Sequence, residues 1–235
     1  PMRLLILSDV HADAVALDAV LADAAGDFDA LVLLGDLIGY GDDPVPTVDA
    51  LRALDPVARV RGNHEAMLAD LRAGRVPNAA RPVLDRLAAH GDALDDEART
   101  WLLDAPERAR YRGEVGPALD LVHGGPRPDR PFEVLLGVPA ARRALPYLRE
   151  PLLLFGHSHV PGGFVEADGR VRPVAARGRE TILELNEAIR RADIEPGQVD
   201  EVVMGQAYQN GEYVNIARMA LLNAGWPEEI TGFTI

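Results

Sequence analysis

The chain has 235 residues and a net charge of −13 with histidine neutral; it contains no cysteine, and all 24 of its basic residues are arginine. The missing cysteine excludes disulfides, thiolate metal sites and a cysteine nucleophile, and the missing lysine excludes Schiff-base chemistry and a P-loop. So acidic a chain is a poor general binder of the nucleic-acid backbone, and no stretch resembles a signal peptide or membrane span, so we expect a cytoplasmic protein without membrane or nucleic-acid partners.

Short apolar strands that run directly into polar loops recur through the first 160 residues. Residues 3–7 form the first strand, and Ala14 to Ala24 has the apolar spacing of a helix. Mainly helical sequence covers residues 66–112, in which His90 is expected to face solvent. Further strands are predicted at residues 30–34, 57–60, 118–122 and 152–155, with a hairpin at residues 163–174. This alternation predicts a layered α/β fold with its site in the loops that follow the strands.

The sequence changes character after about residue 175. Helices are predicted over residues 180–193 and 216–224, and a strand over residues 199–204. We therefore predict two domains, residues 1–174 and residues 175–235, the second being an α/β tail.

Five of the six histidines directly follow predicted strands, which packing alone does not explain. They share these loops with two aspartates and an asparagine, and the whole set is His11, His64, His123, His157, His159, Asp9, Asp36 and Asn63. Imidazole, carboxylate and carboxamide groups without thiolate suit divalent Mn, Fe, Co, Ni or Zn. The set is larger than one ion needs, and two ions that share a bridging carboxylate fit it better.

Charge counting also favours a dinuclear site. Two divalent cations, two aspartates and a bridging hydroxide together leave about one net positive charge around the ions. Such a site would bind a phosphate-ester anion, which explains how an acidic chain could take an anionic substrate.

Five short motifs carry these residues, in the order Asp9-x-His11, Gly35-Asp36, Gly62-Asn63-His64, Val122-His123-Gly124 and Gly156-His157-Ser158-His159. In order and spacing they resemble the calcineurin-like metallophosphoesterase superfamily. Residues 34–41 and 159–161 are similar to its small bacterial and archaeal phosphodiesterase/phosphatase branch. The resemblance covers residues 2 to about 174. It implies two mixed β-sheets in a sandwich flanked by helices, four layers in all, with a dinuclear metal site at the strand ends.

The resemblance also implies a role for each side chain. The two implied ligand sets share Asp36 as a bridge: Asp9, His11, Asp36 and His159 for one ion, and Asp36, Asn63, His123 and His157 for the other. Manganese is the first expectation among Mn, Fe, Ni, Co and Zn. A hydroxide bridging the ions would attack phosphorus, and His64 would protonate the leaving oxygen or stabilise charge. The implied function is a phosphodiesterase or phosphatase acting on small phosphoesters.

Three residues near the motifs are candidates for substrate contact: Arg61, Arg127 and Tyr40. Alternatively, each arginine is an ordinary surface residue, and Tyr40 packs over its own loop without contacting substrate. Glu65 stands where the family usually has aspartate, and its extra methylene could shift a hydrogen bond to His64 or Asn63. The competing function is a non-catalytic binding module on the same fold, which metal binding without turnover would favour. The oligomeric state is open.

The tail has a resemblance of its own. It looks like the N-terminal part of a thiolase, on the stretches Val199 to Gly205, Gln209 to Gly211, Asn215 to Arg218 and Ala224 to Pro227. Because the catalytic cysteine of that family is missing, we expect no thiolase activity; measurable CoA affinity would instead favour an acyl-CoA-related function. After the hairpin, the closing strands that are usual in the metallophosphoesterase branch are missing. One sheet edge is therefore expected to be open, and residues 200–204 are a candidate strand to pair with it.

Overall fold

The structure is a computed structural model that describes residues 3–113, 118–160, 162–167, 169–175, 201–204 and 231–234. The chain divides into two compact units, Pro1–Ser158 and His159–Ile235. The helices and strands of the first unit are β1 (Leu4–Leu7), α1 (Ala14–Asp23), β2 (Ala30–Leu33), α2 (Pro44–Ala53), β3 (Ala58–Arg59), α3 (Asn63–Arg72), α4 (Arg81–Ala93), α5 (Asp96–Leu103), β4 (Arg108–Tyr111), β5 (Leu119–Val122), α6 (Gly137–Ala144), a 3-10 turn (Leu145–Tyr147) and β6 (Leu152–Leu154).

Two three-stranded sheets form the centre of the first unit. The first has the order β1–β2–β3 with all strands parallel, and the second has the order β4–β5–β6 with β4 antiparallel to β5. Side chains alternate along β2 because successive residues of a strand face opposite ways. Leu31 and Leu33 pack in a cluster with α1 to α5, whereas Val32 packs with Leu121 of β5 between the sheets.

A fourth layer covers the outer face of the second sheet. Ala140 and Ala144 of α6 pack there against Leu153 of β6. The layers are therefore helices, sheet, sheet and helix, and the predicted fold class is confirmed.

Three elements differ from the sequence prediction. The predicted helical stretch ends in the strand β4, because residues 108–111 pair antiparallel with β5. The helices α2 and α6 had not been predicted; α2 begins with Pro44, whose fixed φ suits the first turn of a helix. His90 is 5% exposed, so its predicted solvent-facing position on α4 is wrong.

The second unit contains four described strands. β7 (Gly162–Ala167) and β8 (Arg170–Ala175) form the predicted hairpin. The predicted strand near residue 200 is present as β9 (Glu201–Met204), but it pairs in parallel with β10 (Thr231–Thr234) in a two-stranded sheet. The helices predicted at residues 180–193 and 216–224 lie outside the described residues. Among the residues that are described, no helix is both long and apolar enough to cross a bilayer.

Candidate metal centre

Loops that follow β1, β2, β3, β5 and β6 converge in the first unit. Backbone hydrogen bonds connect them directly: Asp9 N donates to Gly35 O at 3.0 Å, and His11 N donates to Asp36 O at 2.9 Å. Gly156 N likewise donates to His123 O at 2.8 Å. The polar side chains of these loops are thereby held in one place, and we call Asp9, His11, Asp36, Asn63, His64, His123 and His157 the candidate metal centre.

Asp36 lies in the middle of the candidate metal centre and is 1% exposed. Its Oδ2 lies 3.2 Å from Nε2 of His123 and 3.9 Å from Nε2 of both His11 and His64. Two groups of three donors, each within 4.8 Å of one another, both include it: one with His11 and His64, the other with His123 and His157. A carboxylate shared by two donor groups is what a bridging ligand requires.

Two further oxygens complete the arrangement. Asp9 Oδ1 lies 3.9 Å from Nε2 of His11 and 3.9 Å from Nε2 of His123, and Asn63 Oδ1 lies 3.1 Å from the same nitrogen of His123. Separations near 3.9 Å are too long for hydrogen bonds. Two ligands that each lie about 2.1 Å from a shared ion can be at most about 4.2 Å apart, so these separations allow a divalent cation between the donors.

The backbone orients both of the central imidazoles. Nδ1 of His123 lies 2.7 Å from Leu34 O, and Nδ1 of His11 lies 3.2 Å from Ile38 O. With the Nδ1 proton donated to a carbonyl, the lone pair of Nε2 points into the centre. This is the usual way in which proteins fix a metal-binding tautomer of histidine.

Ser8, which the sequence prediction missed, orients Asp9. Its hydroxyl donates to Asp9 Oδ2 at 2.5 Å, and His157 N donates to the same oxygen at 3.0 Å. Gly156 makes room for this contact, because a Cβ at that position would lie 1.8 Å from Ser8 Oγ. Asp9 Oδ1 is thus left facing the histidines.

Glu65 connects two of the loops through backbone amides and not through His64 or Asn63. Its buried carboxylate accepts hydrogen bonds from Asp36 N and Gly62 N at 2.8 and 2.7 Å on Oε2, and from Leu37 N and Ile38 N at 2.8 and 3.3 Å on Oε1. The hydrogen bond from Gly62 N to Glu65 is one half of a capping box at the start of α3, and the glutamate three residues after the N-cap is a signal that the sequence does carry. Glu65 therefore positions the bridging candidate Asp36 relative to Asn63.

The backbone of the centre is strained in a way that favours a functional role. Seven described residues other than glycine have positive φ, and five of them are predicted ligands: Asp9, His11, Asp36, His157 and His159. Each such conformation costs about 1–2 kcal/mol for an L-residue, and such residues cluster at functional sites. Close approach adds to this, since a Cβ on Gly62 would lie 2.0 Å from Asp36 Oδ1.

Charge coupling links Asp36 and His123. Burial disfavours the charged form of each, but hydrogen bonding and the charge of His123 hold the pKa of Asp36 below its usual range. Burial likewise opposes the charge on His123, yet the hydrogen bond and charge of Asp36 raise the pKa of His123 to about 9. A cation that binds between them must therefore displace the His123 proton. Burial lowers the pKa of His64 to about 4, so this imidazole is neutral near pH 7.

Comparison with known proteins identifies the family. The calcineurin-like phosphoesterase model matches residues 2–161, about two thirds of the chain. The chain belongs to that family.

Solved structures agree with this assignment. A metallophosphoesterase from Sphaerobacter thermophilus is 34% identical with a TM-score of 0.57, over 71% of this chain and 64% of that chain. A hypothetical protein from Pyrococcus horikoshii OT3 is 14% identical with a TM-score of 0.55, over 83% of this chain and 95% of that chain, which shows a likeness of fold.

The thiolase resemblance of the tail is also confirmed. The thiolase N-terminal domain model matches residues 179–235. The acetyl-CoA acetyltransferase of Syntrophomonas wolfei is 49% identical over 51 residues, which are 22% of this chain and 13% of that protein. The chain thus spans a small part of the length of the curated relatives it matches.

The structure brings together seven of the side chains that the calcineurin-like phosphoesterase motifs supply. His159 begins the second unit, and its role as a ligand stays a prediction. Among the proposed substrate contacts, Arg61 pairs with Glu107 at 2.8 Å, and Tyr40 packs against two of the imidazoles. Arg127 forms an ion pair with its neighbour Asp129. Their roles toward substrate also stay predictions.

Proposed function

We propose that the chain is a metal-dependent phosphoesterase that hydrolyses small phosphodiesters or phosphomonoesters. The observation that carries this proposal is the position of Asp36 Oδ2, within 3.9 Å of imidazole Nε2 atoms from two loops and the start of α3. Family membership supplies the reaction class, since calcineurin-like phosphoesterases act on phosphoester bonds.

We assign the ligands as the family motifs imply, with Asp36, which both donor groups contain, as the shared residue. One ion would be held by Asp9, His11, Asp36 and His159, and the other by Asp36, Asn63, His123 and His157. When bound, two divalent ions lower the pKa of water and neutralise charge on the phosphoryl group. Imidazole and carboxylate donors suit manganese, which we take as the first metal to test.

His64 is proposed to assist the leaving group. Its Nε2 faces Asp36, and its buried Nδ1 has no hydrogen-bond partner in the part of the chain that the structure describes. His64 N donates to Asp36 Oδ1 at 2.9 Å, which fixes the start of α3 against the centre. A phosphoester anion bound beside this imidazole would raise its pKa again, so that His64 can take up a proton and give it to the leaving oxygen or stabilise charge on the phosphoryl group.

The test combines metal content with hydrolysis. We expect about two manganese ions per reconstituted chain, and turnover of 4-nitrophenyl phosphate, bis(4-nitrophenyl) phosphate or both, with the rate ratio reporting the preferred class. His64→Gln is expected to keep the metal and to lose roughly 10²–10⁴-fold in kcat, whereas Asp36→Asn is expected to lose metal as well. Arg81→Met, an exposed change on α4, is the control.

One result would contradict the proposed function, and another would contradict only the role of His64. Metal bound without turnover of any phosphoester would favour the non-catalytic binding module on the same fold. Full activity in His64→Gln would remove that residue from the reaction while leaving the metal centre in place.

A further inference from the structure

Tyr40 lies beside the two imidazoles on one side of the candidate metal centre. Its ring centroid lies 4.6 Å from that of His11 and 4.9 Å from that of His64, the second contact being edge-on. The residue is nevertheless 42% exposed. A ring that touches the buried imidazoles and remains accessible is placed to contact a molecule bound at the centre.

Two glycines hold the Tyr40 loop close to these imidazoles. Gly39 has φ of +146°, and a Cβ there would lie 2.4 Å from Nδ1 of His64. Gly41 N donates to His11 O at 2.6 Å, and a Cβ on Gly41 would lie 2.3 Å from the backbone oxygen of Ala12. Neither position accepts a side chain without movement, so the ring is carried on a loop of fixed position.

Arg86 of α4 holds the other side of this loop. Its Nη1 donates to Tyr40 O at 2.7 Å, to Gly41 O at 3.0 Å and to the carboxylate of Asp42. Arg86 and Asp42 also line a surface cavity of about 620 Å³ between the start of α2 and α4. The loop borders a cavity on this side, so few of the described side chains pack against it. The Arg86 hydrogen bonds therefore hold the Tyr40 loop in position there.

We propose that Tyr40 forms one wall of a leaving-group subsite that favours phosphoesters with a planar aromatic leaving group, and that Arg86 is a positioning residue for this wall. The inference rests on the proposed function. If His64 gives a proton to the leaving oxygen, the leaving group lies beside His64 and therefore beside the Tyr40 ring. An aromatic group gains directional ring contacts there that an alkyl group does not.

Binding measurements test the contact with the Tyr40 ring independently of the hydrolysis step. In the manganese-loaded full chain, calorimetry compares phenylphosphonate with methylphosphonate, which share the anionic group and differ in the ring. Wild type is expected to prefer the phenyl compound by about 3- to 10-fold. Tyr40→Phe should keep this preference, Tyr40→Leu should lose it, and Arg86→Met should reduce it. Arg81→Met, which lies on the same helix and removes an ion pair with Asp85, should leave it unchanged.

Kinetics give the second readout, with an aryl and an alkyl ester of whichever class the wild type hydrolyses. Tyr40→Leu should raise KM for the aryl ester several-fold with little change in kcat, and should leave the alkyl ester nearly unaffected. Equal phenyl and methyl affinities in the wild type, or a preference that survives Tyr40→Leu, would overturn the subsite. A wild-type preference in Arg86→Met would overturn the positioning role. Absence of hydrolysis by wild type would overturn the proposed function and the leaving-group assignment with it, whereas a phenyl preference that depends on Tyr40 would still place an aromatic-binding wall there.

Discussion

Two buried carboxylates of the first unit are satisfied in opposite ways. Asp120 of β5 is 2% exposed and forms a bidentate ion pair with Arg108 of β4, in which Nε donates to Oδ1 at 2.7 Å and Nη2 donates to Oδ2. Glu65 of α3 is 1% exposed and accepts instead from four backbone amides. The first carboxylate is neutralised by a cation, and the second is solvated by dipoles.

The difference separates a contribution to the fold from a contribution to the site. Arg108 also donates to Pro126 O at 2.9 Å and to Tyr147 O at 2.7 Å, so the pair ties the second sheet to its loops without net charge. Glu65 lies beside Asp36, where an arginine would repel the cations that the centre is proposed to bind. Burial, followed by the charge of Asp36, raises the pKa of Glu65 to about 7, while the amide hydrogen bonds oppose this shift.

The largest expected effect on stability is that of Arg108→Met. It leaves Asp120 buried without its cation, and breaking a buried pair in this way costs about 3–5 kcal/mol. Urea denaturation measures the loss, and Arg108→Met/Asp120→Leu should recover most of it. Arg110→Met, an exposed neighbour paired with Glu150, should cost less than about 1 kcal/mol. Equal costs for the two arginine variants would refute a structural role for the buried pair.

Glu65→Gln is expected to lower stability less than Arg108→Met does, but to lower metal affinity more. The glutamine side chain turns an N–H₂ group toward backbone N–H groups, which removes charge-assisted hydrogen bonds worth about 2–3 kcal/mol. Because the backbone of Asp36 is then held less firmly, manganese affinity should fall by roughly 10- to 100-fold. Calorimetric metal titration checks this, with Glu97→Gln on the surface as the control. The metal affinity of Arg108→Met is measured on the folded fraction of the protein. If it falls as much as that of Glu65→Gln, the distinction between a carboxylate that supports the fold and one that supports the site is refuted.

The sequence predicted those parts of the fold that short-range patterns determine. β1, α1, β2 and the hairpin each carry their own periodicity, and the metal-centre residues stand in short motifs directly after strands. β4 was missed because residues 108–111 become a strand only by pairing with β5, about ten residues further along the chain. The Arg108–Asp120 pair was missed for the same reason, since nothing local marks two charges as partners.

The supporting residues of the site were harder to predict than its ligands. Glu65 contacts amides up to 29 residues away in the chain, so its partners follow from the fold and not from the motif. Its capping-box spacing to Gly62 could have shown one of the four contacts. Ser8 carries no such signal. The ion pairs of Arg61 and Arg127 with nearby acids are likewise set by how the loops fold.

The smallest of these effects is expected for Ser8→Ala. Asp9 Oδ2 then loses the Ser8 hydroxyl and keeps the amide of His157, so the carboxylate is held less firmly and manganese affinity should fall by about 10-fold. The loss of stability should stay near 1–2 kcal/mol, the value of one hydrogen bond to a charged group. Gly156→Ala should weaken metal binding at least as much, because the new Cβ would lie 1.8 Å from the Ser8 hydroxyl and 2.6 Å from Asp9 Oδ2. If both changes act through this one hydroxyl, Ser8→Ala/Gly156→Ala should bind manganese no more weakly than Gly156→Ala alone. Additive losses in the double variant would show that Ser8 and Gly156 support Asp9 independently.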